Sequence, residues 1–286
     1  MIPSTFEYHR PASLDEAVSL LQEHGEDASL LAGGHSLLPA MKLRLSAPEH
    51  LVDIGRIDEL REIRSEGGGV VIGAGATHHD VESSSAVAAG APLLAQAASV
   101  IGDVQVRNAG TIGGSLAHAD PAADYPAAVL ASEGSVEVVG PGGARSIAAA
   151  DFFVELFATA LQPGEIVTAV RVPAPGAGTG VSYLKFAHPA SRFAVCGCAA
   201  AVTVSGGACS SARVAFNGIA SAAFRDAGVE AALAGTSLDE ESVRAAVAGA
   251  AEGQELLADS FAGEDYRRQL ARVYARRAVL AAAAAA

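Results

Sequence analysis

The chain has 286 residues, of which 50% are hydrophobic and 5% aromatic, so it has ample material for packed cores built mainly from Ala, Val, Leu and Ile. Its formal net charge of −13 argues against nucleic acid or an anionic membrane surface as a partner, because both require clustered Lys and Arg. Three cysteines are too few for a four-thiolate iron–sulfur cluster held by this chain alone, and a sparse, odd count fits a reducing cytoplasm.

The first 56 residues predict a small α/β unit. A capping-box pattern at 13–16 indicates a helix that ends at Gly25. Ser36 is a candidate N-cap for a second helix. The expected order after the first helix is a buried strand (28–32), Gly33-Gly34, a helix to about residue 44 and a strand (50–54).

From about residue 57 the pattern changes to short strands and helices. Glu66–Gly69 separates two apolar runs and predicts a hairpin turn. We expect helices at 78–86, 91–101 and 122–132, and strands at 135–139, 144–147 and 165–173.

The small, uncharged segment 174–180 is the best domain boundary. Beyond it, the runs 181–187, 193–204 and 210–216 predict a three-stranded antiparallel meander, with Cys196 and Cys198 as small buried apolar residues on one face. Helices close the chain near 221–234, after a cap at Ser237, and from Asp265 into an alanine tail that we expect to be a frayed helix end. The predicted domains are 1–177, with subdomains 1–56 and 57–177, and 178–286.

Two glycine pairs with a nearby serine, Gly-Gly-x-Ser at 33–36 and Gly-Gly-Ser at 113–115, suggest together with their flanking residues a site for a pyrophosphate. Glycine permits close backbone approach, and several N–H donors together can hold phosphate without lysine. The segment 73–78 lacks the third glycine of a dinucleotide fingerprint, no Gly-Lys-Ser/Thr phosphate loop is present, and Leu38 replaces the second glycine that a hydrolase nucleophile elbow requires.

The histidines and acids of these segments do not have metal-ligand spacing. His78, His79 and Asp80 would spread around a helix, and His118, Asp120 and Asp124 lie on a proline-containing loop. We therefore predict neither a metal site nor a catalytic side chain in this chain.

The sequence resembles the flavin-binding medium subunits of molybdenum hydroxylases, the xanthine dehydrogenase family. The segments that carry the likeness are LLAGGHSLLP (30–39), VVIGAGATHHDVESS (70–84), RNAGTIGGSLAHADPAADYPAAVLA (107–131) and YLKFAHPASRFAVCGCAAAV (183–202). Within the family, His35, the MKLRL segment (41–45) and HADPAADYP (118–126) are most similar to the aerobic carbon monoxide dehydrogenase type.

The resemblance implies an α+β chain: a two-subdomain FAD-binding fold of the vanillyl-alcohol oxidase (PCMH) type, followed by a C-terminal sheet with helices. It also implies the FAD-binding residues. The pyrophosphate residues would be Ala32, Gly33, Gly34, His35, Ser36, Leu37, Thr111, Ile112, Gly113, Gly114 and Ser115. Residues lining the rest of the cofactor would be Thr77, His78, Ile101, Val167 and Phe193, the last of which could instead pack in the sheet because Arg192 replaces an acid of the family.

Two charged residues complete the implied site. Asp124 would hydrogen-bond ribityl or ribose hydroxyls of the cofactor, although a turn residue or N-cap is the alternative. Lys185 would reach the flavin end, where a cation favours the anionic reduced flavin, with a surface lysine on a strand as the alternative. A cluster of arginines near the C-terminus, Arg267 among them, fits either a docking surface or a solvated helix face.

By the same resemblance the chain is one subunit of three kinds. It would receive electrons from the [2Fe-2S] clusters of a small subunit, itself supplied by a large molybdopterin subunit, and pass them through FAD to a quinone or other acceptor in a dimer of heterotrimers. The expected location is the cytoplasm, with membrane association through the acceptor as an option. The alternatives are a medium subunit acting on N-heterocycles or aldehydes, a stand-alone FAD oxidoreductase, and a binding module without flavin.

Overall fold

The N-terminal part of the computed structural model, which describes residues 2–286, is a parallel three-stranded sheet with its connecting helices. Its elements are β1 (Glu7–His9), α1 (Leu14–His24), β2 (Ala28–Leu31), α2 (Leu37–Leu43) and β3 (His50–Asp53). The strand order is β1-β3-β2, so the first glycine motif leaves the carboxyl end of an edge strand. The predicted α/β unit is confirmed.

The caps of the first two helices differ in detail from the expectation. Ser13 Oγ accepts a hydrogen bond from the Glu16 N–H, and α1 ends at Gly25 with φ +53°, as predicted. The Glu16 carboxylate accepts from the Ala12 N–H instead of closing a reciprocal box on Ser13. Ser36 occupies the predicted N-cap position of α2, but its side chain makes no capping hydrogen bond, and the residue lines the cleft described below.

The second sheet is antiparallel and contains the predicted hairpin at Glu66–Gly69. Its strands are β4 (Ile63–Glu66), β5 (Gly69–Gly73), β6 (Ser135–Gly140), β7 (Gly143–Ala148) and, after a small two-stranded sheet of β8 (Phe153–Glu155) and β9 (Ala158–Thr159), β10 (Ile166–Pro173). The order β4-β5-β10-β6-β7 places β10 in the middle.

Short helices fill the chain between β5 and β6. They are α3 (His78–Ser83), α4 (Ser85–Gly90), α5 (Pro92–Ser99), α6 (Val104–Arg107), α7 (Ile112–His118) and α8 (Tyr125–Ala131), and α9 (Ala149–Phe152) follows β7. The predicted helix 78–86 is broken at Ser84, whose extended backbone ends α3 and whose hydroxyl caps α4. The second glycine motif is the first turn of α7 and not a loop.

The C-terminal part is an antiparallel meander covered by helices. It contains β11 (Thr179–Ala187), β12 (Ala194–Ser205), β13 (Ala208–Asn217), β14 (Phe224–Arg225), α10 (Ala227–Leu233), α11 (Glu240–Ala246) and α12 (Glu264–Ala284). The two-residue strand β14 adds a fourth member to the predicted three-stranded sheet. Asp239, not Ser237, caps α11; the Ser237 hydroxyl donates to the Asp239 carboxylate.

The alanine tail and one arginine of the C-terminal cluster are more ordered than expected. Helix α12 continues to Ala284, and Ala282 is fully buried, because Gly180 of β11 lets the helix backbone approach the sheet closely. Arg267 is 4% exposed and donates to the carbonyls of Val195 and Gly218, so for this residue neither a docking surface nor a solvated face is correct.

Two apolar cores support these layers. The first is formed by the two N-terminal sheets and their helices and also includes Tyr183, Ala199 and Ala215 of the C-terminal meander. The second lies between the meander and α10–α12, and it contains all three cysteines as buried free thiols, which confirms the prediction for Cys196 and Cys198. Among residues 2–286, no helix combines the length and apolar character needed to cross a bilayer.

Candidate functional site

A cleft of about 770 Å³ lies where the first sheet, the second sheet and the start of β12 meet. Pockets for small molecules and cofactors span roughly 300–1,000 Å³, so this one is large enough for a dinucleotide. Of the residues expected to bind the cofactor, those that line the cleft are Ala32, Gly33, Gly34, His35, Ser36, Leu37, Thr77, His78, Ile101, Thr111, Gly113, Gly114, Ser115, Asp124, Val167 and Phe193. Ile112 and Lys185 do not line it.

The first glycine motif connects β2 to α2 along one wall of the cleft. Gly34 has φ +73°, a conformation that favours glycine, and it turns the chain from the strand into the helix. Among residues 2–286, no group accepts a hydrogen bond from the N–H groups of residues 33–37. This run of free donors beside a cleft is suited to the oxygens of a pyrophosphate.

The second glycine motif is built differently, because its N–H groups are already used. Thr111 Oγ1 accepts from the Gly114 N–H at 3.1 Å and caps α7. The N–H groups of Ile112 and Gly113 donate to the carbonyls of Ala76 and Ala74, which follow the end of β5. This motif therefore shapes an adjacent part of the cleft wall, which Ser115 also lines, whereas the expectation was a second set of free donors.

Close contacts between neighbouring chain segments explain two of the glycines. A Cβ on Gly33 would overlap the carbonyl oxygen of Ala109, and a Cβ on Gly113 would overlap Ala74. The glycines thus let the first loop, the segment before α7 and the end of β5 come together around the cleft. These glycines therefore serve the packing of neighbouring chain segments, in addition to the close approach of a phosphate that their pattern predicts.

Asp124 lies at the cleft and is held by two side chains from the C-terminal sheet. Lys185 Nζ donates to Asp124 Oδ2 at 2.8 Å and to the Val100 carbonyl at 2.7 Å. The Tyr183 hydroxyl donates to Asp124 Oδ1 at 2.6 Å. Asp124 occupies the N-cap position of α8, but its side chain makes no capping hydrogen bond. Lys185 is 4% exposed, so it is not a surface lysine.

Burial has the largest effect on the pKa of Asp124. Loss of water raises the pKa of Asp124 to about 6, although the Lys185 ammonium and the Tyr183 hydroxyl both favour the carboxylate. Burial and the adjacent carboxylate raise the pKa of Tyr183 well above 10, which keeps its hydroxyl a donor. Lys185 therefore contacts Asp124 and does not line the cleft, so it affects a cofactor bound in the cleft only through Asp124.

His78 lies in the cleft wall against Tyr125 and is 5% exposed. Desolvation lowers its pKa to about 4, so the ring is uncharged near neutral pH. Its Nδ1 has no partner among residues 2–286, which leaves a buried polar atom at the site. The neighbouring Thr77 uses its hydroxyl to cap α3 and to contact Asp80.

Phe193 stands at the cleft with 48% of its surface exposed, so it does not pack inside the sheet. The preceding residue, Arg192, has φ +61° and donates from Nε to the Gly102 carbonyl. This contact fixes the tight turn that presents Phe193. Ile101 and Val167 are apolar lining residues, whereas Ile112 belongs wholly to the core.

The cleft also contains two cations that are not among the residues expected to bind the cofactor. Arg61, after β3, donates to the Gly55 carbonyl, and Arg192 follows β11; both line the cleft. Neither residue lies in a glycine motif, and the strongly negative net charge gave no reason to expect them. An anion in this cleft therefore has two guanidinium groups nearby in addition to the backbone N–H donors.

Comparison with known proteins agrees with this geometry. Residues 4–175 match the family model described as FAD binding domain in molybdopterin dehydrogenase, and residues 182–282 match the CO dehydrogenase flavoprotein C-terminal domain. The carbon monoxide dehydrogenase medium chain of Hydrogenophaga pseudoflava is 46% identical over 282 residues, covering 99% of this chain and 98% of the relative.

Solved structures share the whole fold. A carbon monoxide dehydrogenase from Hydrogenophaga pseudoflava that lacks the Mo-pyranopterin moiety matches with a TM-score of 0.96 and 48% identity over 99% of each chain. Quinoline 2-oxidoreductase from Pseudomonas putida 86 matches with a TM-score of 0.94 and 33% identity over 99% of each chain. The α+β fold and the FAD cofactor inferred from the sequence are thereby confirmed. This chain belongs to the FAD-binding family of molybdopterin dehydrogenases and is a flavoprotein oxidoreductase subunit of the carbon monoxide dehydrogenase medium-chain type.

Proposed function

We propose that this chain carries electrons from a partner subunit to an external acceptor within an aerobic carbon monoxide dehydrogenase. The supporting observation is the cleft with its run of free N–H donors at residues 33–37, in a chain more similar to the carbon monoxide enzyme (48%) than to the quinoline enzyme of the same fold (33%). The substrate would be oxidised on the large molybdopterin subunit and would not touch this chain.

FAD would lie along the cleft with its pyrophosphate at residues 32–37 and 111–115. Asp124 would bind a hydroxyl of the cofactor, held in position by Lys185 and Tyr183. The apolar surfaces of Ile101, Val167 and Phe193 would flank the ring end, and Thr77 and neutral His78 would complete the wall. Bound flavin accepts electrons singly and gives them up in pairs, which is the chemistry needed between one-electron clusters and a two-electron acceptor.

The electrons would come from [2Fe-2S] clusters of a small iron–sulfur subunit. In this chain the three thiols lie inside the second core, where burial raises the pKa of Cys196 to about 12 and also raises those of Cys198 and Cys209. Such thiols are poor metal ligands, because a ligand must be the thiolate. A dimer of heterotrimers in the cytoplasm, with a quinone or another acceptor, completes the proposal.

The test is to purify the chain with the subunits that co-purify, record the visible spectrum, and measure iron, sulfide and molybdenum. We expect flavin and iron–sulfur absorption together, and bleaching of both when carbon monoxide is added without oxygen. Bleaching by an N-heterocycle or aldehyde but not by carbon monoxide would overturn the assignment of carbon monoxide as the substrate. Flavin without iron in a complete preparation would overturn the electron-transfer role.

A further inference from the structure

Three of the eight histidines meet on the N-terminal subdomain, away from the cleft. His9 ends β1, His24 ends α1 and His50 begins β3. None of the three histidines lines the cleft that contains the glycine motifs. The cluster therefore is independent of the FAD site.

The three imidazoles are close enough to share one ion. His9 Nε2 lies 3.0 Å from His50 Nδ1, and the rings of His24 and His50 are stacked with centroids 3.7 Å apart. One nitrogen from each ring falls within 4.8 Å of the others. Two ligands of a tetrahedral zinc ion, with Zn–N bonds of about 2.0–2.1 Å, are roughly 3.3 Å apart, so modest ring rotation is sufficient for binding.

The surroundings of the cluster also suit a cation. All three histidines are half-buried, which allows an ion to reach them while their positions remain fixed by the sheet and the helix. Glu7, on the same strand as His9, places a carboxylate oxygen 3.7 Å from His50 Nδ1. This exposed side chain can supply a fourth ligand, and water is the other choice. Three imidazoles with an oxygen donor form a typical set for zinc and neighbouring divalent metals.

We propose that His9, His24 and His50 form a binding site for one divalent transition-metal ion of the zinc class. The ligands come from β1, α1 and β3, so a bound ion would cross-link three elements that are distant in sequence. Binding only to the folded form would stabilise the subdomain that holds the first glycine motif. The sequence could not reveal this site, because the ligands have no local spacing pattern.

The test uses the full-length chain, purified without a histidine tag and stripped of metal. We expect one Zn²⁺ per chain by calorimetric titration and a Tm increase of roughly 3 °C or more at saturating Zn²⁺. Co²⁺ should bind at the same stoichiometry and give the strong visible bands of a tetrahedral nitrogen–oxygen site, which Zn²⁺ then displaces.

The variant His24→Gln keeps a polar side chain at the end of α1 and should weaken Zn²⁺ binding by at least about tenfold and abolish the Co²⁺ bands. The matched control is His79→Gln, which removes an exposed histidine of α3 outside the cluster. It should change neither readout. If His24→Gln binds Co²⁺ with the same spectrum and stoichiometry as the unmodified chain, or if the unmodified chain binds no stoichiometric metal, the proposal is wrong. FAD content serves as an independent check, because it should be equal in all three proteins.

Discussion

At the scale of single residues, the site depends on polar groups that have been removed from water. The side chains of Asp124 and Lys185 are 5% and 4% exposed, and Tyr183 shares their hydrogen-bond network. A buried ion pair adds little to stability by itself, but removal of one partner leaves a charge without compensation. The pair thus links the cleft to β11, and its two members should be tested together.

The substitution Lys185→Met should lower the free energy of unfolding by about 3–5 kcal/mol, because Asp124 then lies buried without its cation. Urea denaturation at neutral pH measures the change. The double variant Asp124→Asn/Lys185→Met is the control, and it should regain a substantial part of the loss because no charge remains buried. Equal destabilisation of the single and the double variant would contradict this account of the pair.

His78 gives a second residue-scale prediction, on pH dependence. Its pKa is about 4 in the folded chain and 6.5 for the unperturbed group, so the unfolded chain binds more protons between these values. The contribution of neutral His78 is complete above pH 6.5 and decreases as pH falls towards 4, by about 3 kcal/mol in total.

Urea unfolding of the FAD-free chain across this pH range, compared with His78→Gln, isolates the effect. The difference in unfolding free energy between the two proteins should change by roughly that amount between the ends of the range. Other groups that titrate there, Asp124 included, affect both proteins and cancel in the comparison. If the difference in unfolding free energy between the two proteins does not change with pH, His78 is not a buried, neutral histidine in the folded chain.

At the scale of elements, the two similar glycine motifs have different roles because they contact different neighbouring segments. The first leaves its N–H groups free between β2 and α2, whereas the second gives its donors to the end of β5 and starts α7. Gly33 lies against the Ala109 backbone, so the two motifs are held side by side. Their spacing is therefore sensitive to a single added methyl group.

The substitution Gly33→Ala should weaken FAD binding by at least about tenfold, since its Cβ would push the first loop away from residues 109–110. Gly142→Ala is the matched control: its Cβ has nothing within 4 Å and its φ is not positive. Fluorescence titration of flavin-free protein with FAD measures both. Unchanged affinity in the Gly33 variant would show that the close approach is not needed for the cofactor.

At the scale of the whole molecule, the N-terminal and C-terminal parts share a core. Tyr183, Ala199 and Ala215 of the meander pack in the first apolar cluster, and Asp124 finds its hydrogen-bond partners on β11. The domain boundary near residue 177 remains a prediction, and the sharing of a core argues that the parts depend on one another.

We expect a fragment of residues 1–177 to unfold at a Tm at least about 5 °C below that of the full chain and to bind a hydrophobic dye such as ANS. The reason is that removal of the meander exposes apolar surface of α5 and α8, which pack against β11–β13. Calorimetry of both proteins measures the difference. A fragment with the same Tm and no dye binding would show that the shared core contributes little.

The sequence by itself determined the fold class and the cofactor, and all but two of the residues that it assigned to cofactor binding line the cleft. Local signals are sufficient for these: capping residues, glycines after a strand and alternating apolar residues act between neighbours in the chain, and the long motif at 107–131 identifies the family. The tertiary structure decided which hydrogen-bond donors and charged side chains are free and which are paired. The donors of the second glycine motif are consumed by the end of β5, Lys185 is bound to Asp124, Arg61 enters the cleft, and three distant histidines form a cluster. Each of these facts depends on a contact between residues far apart in sequence, and such contacts are fixed only when the sheets and helices pack together.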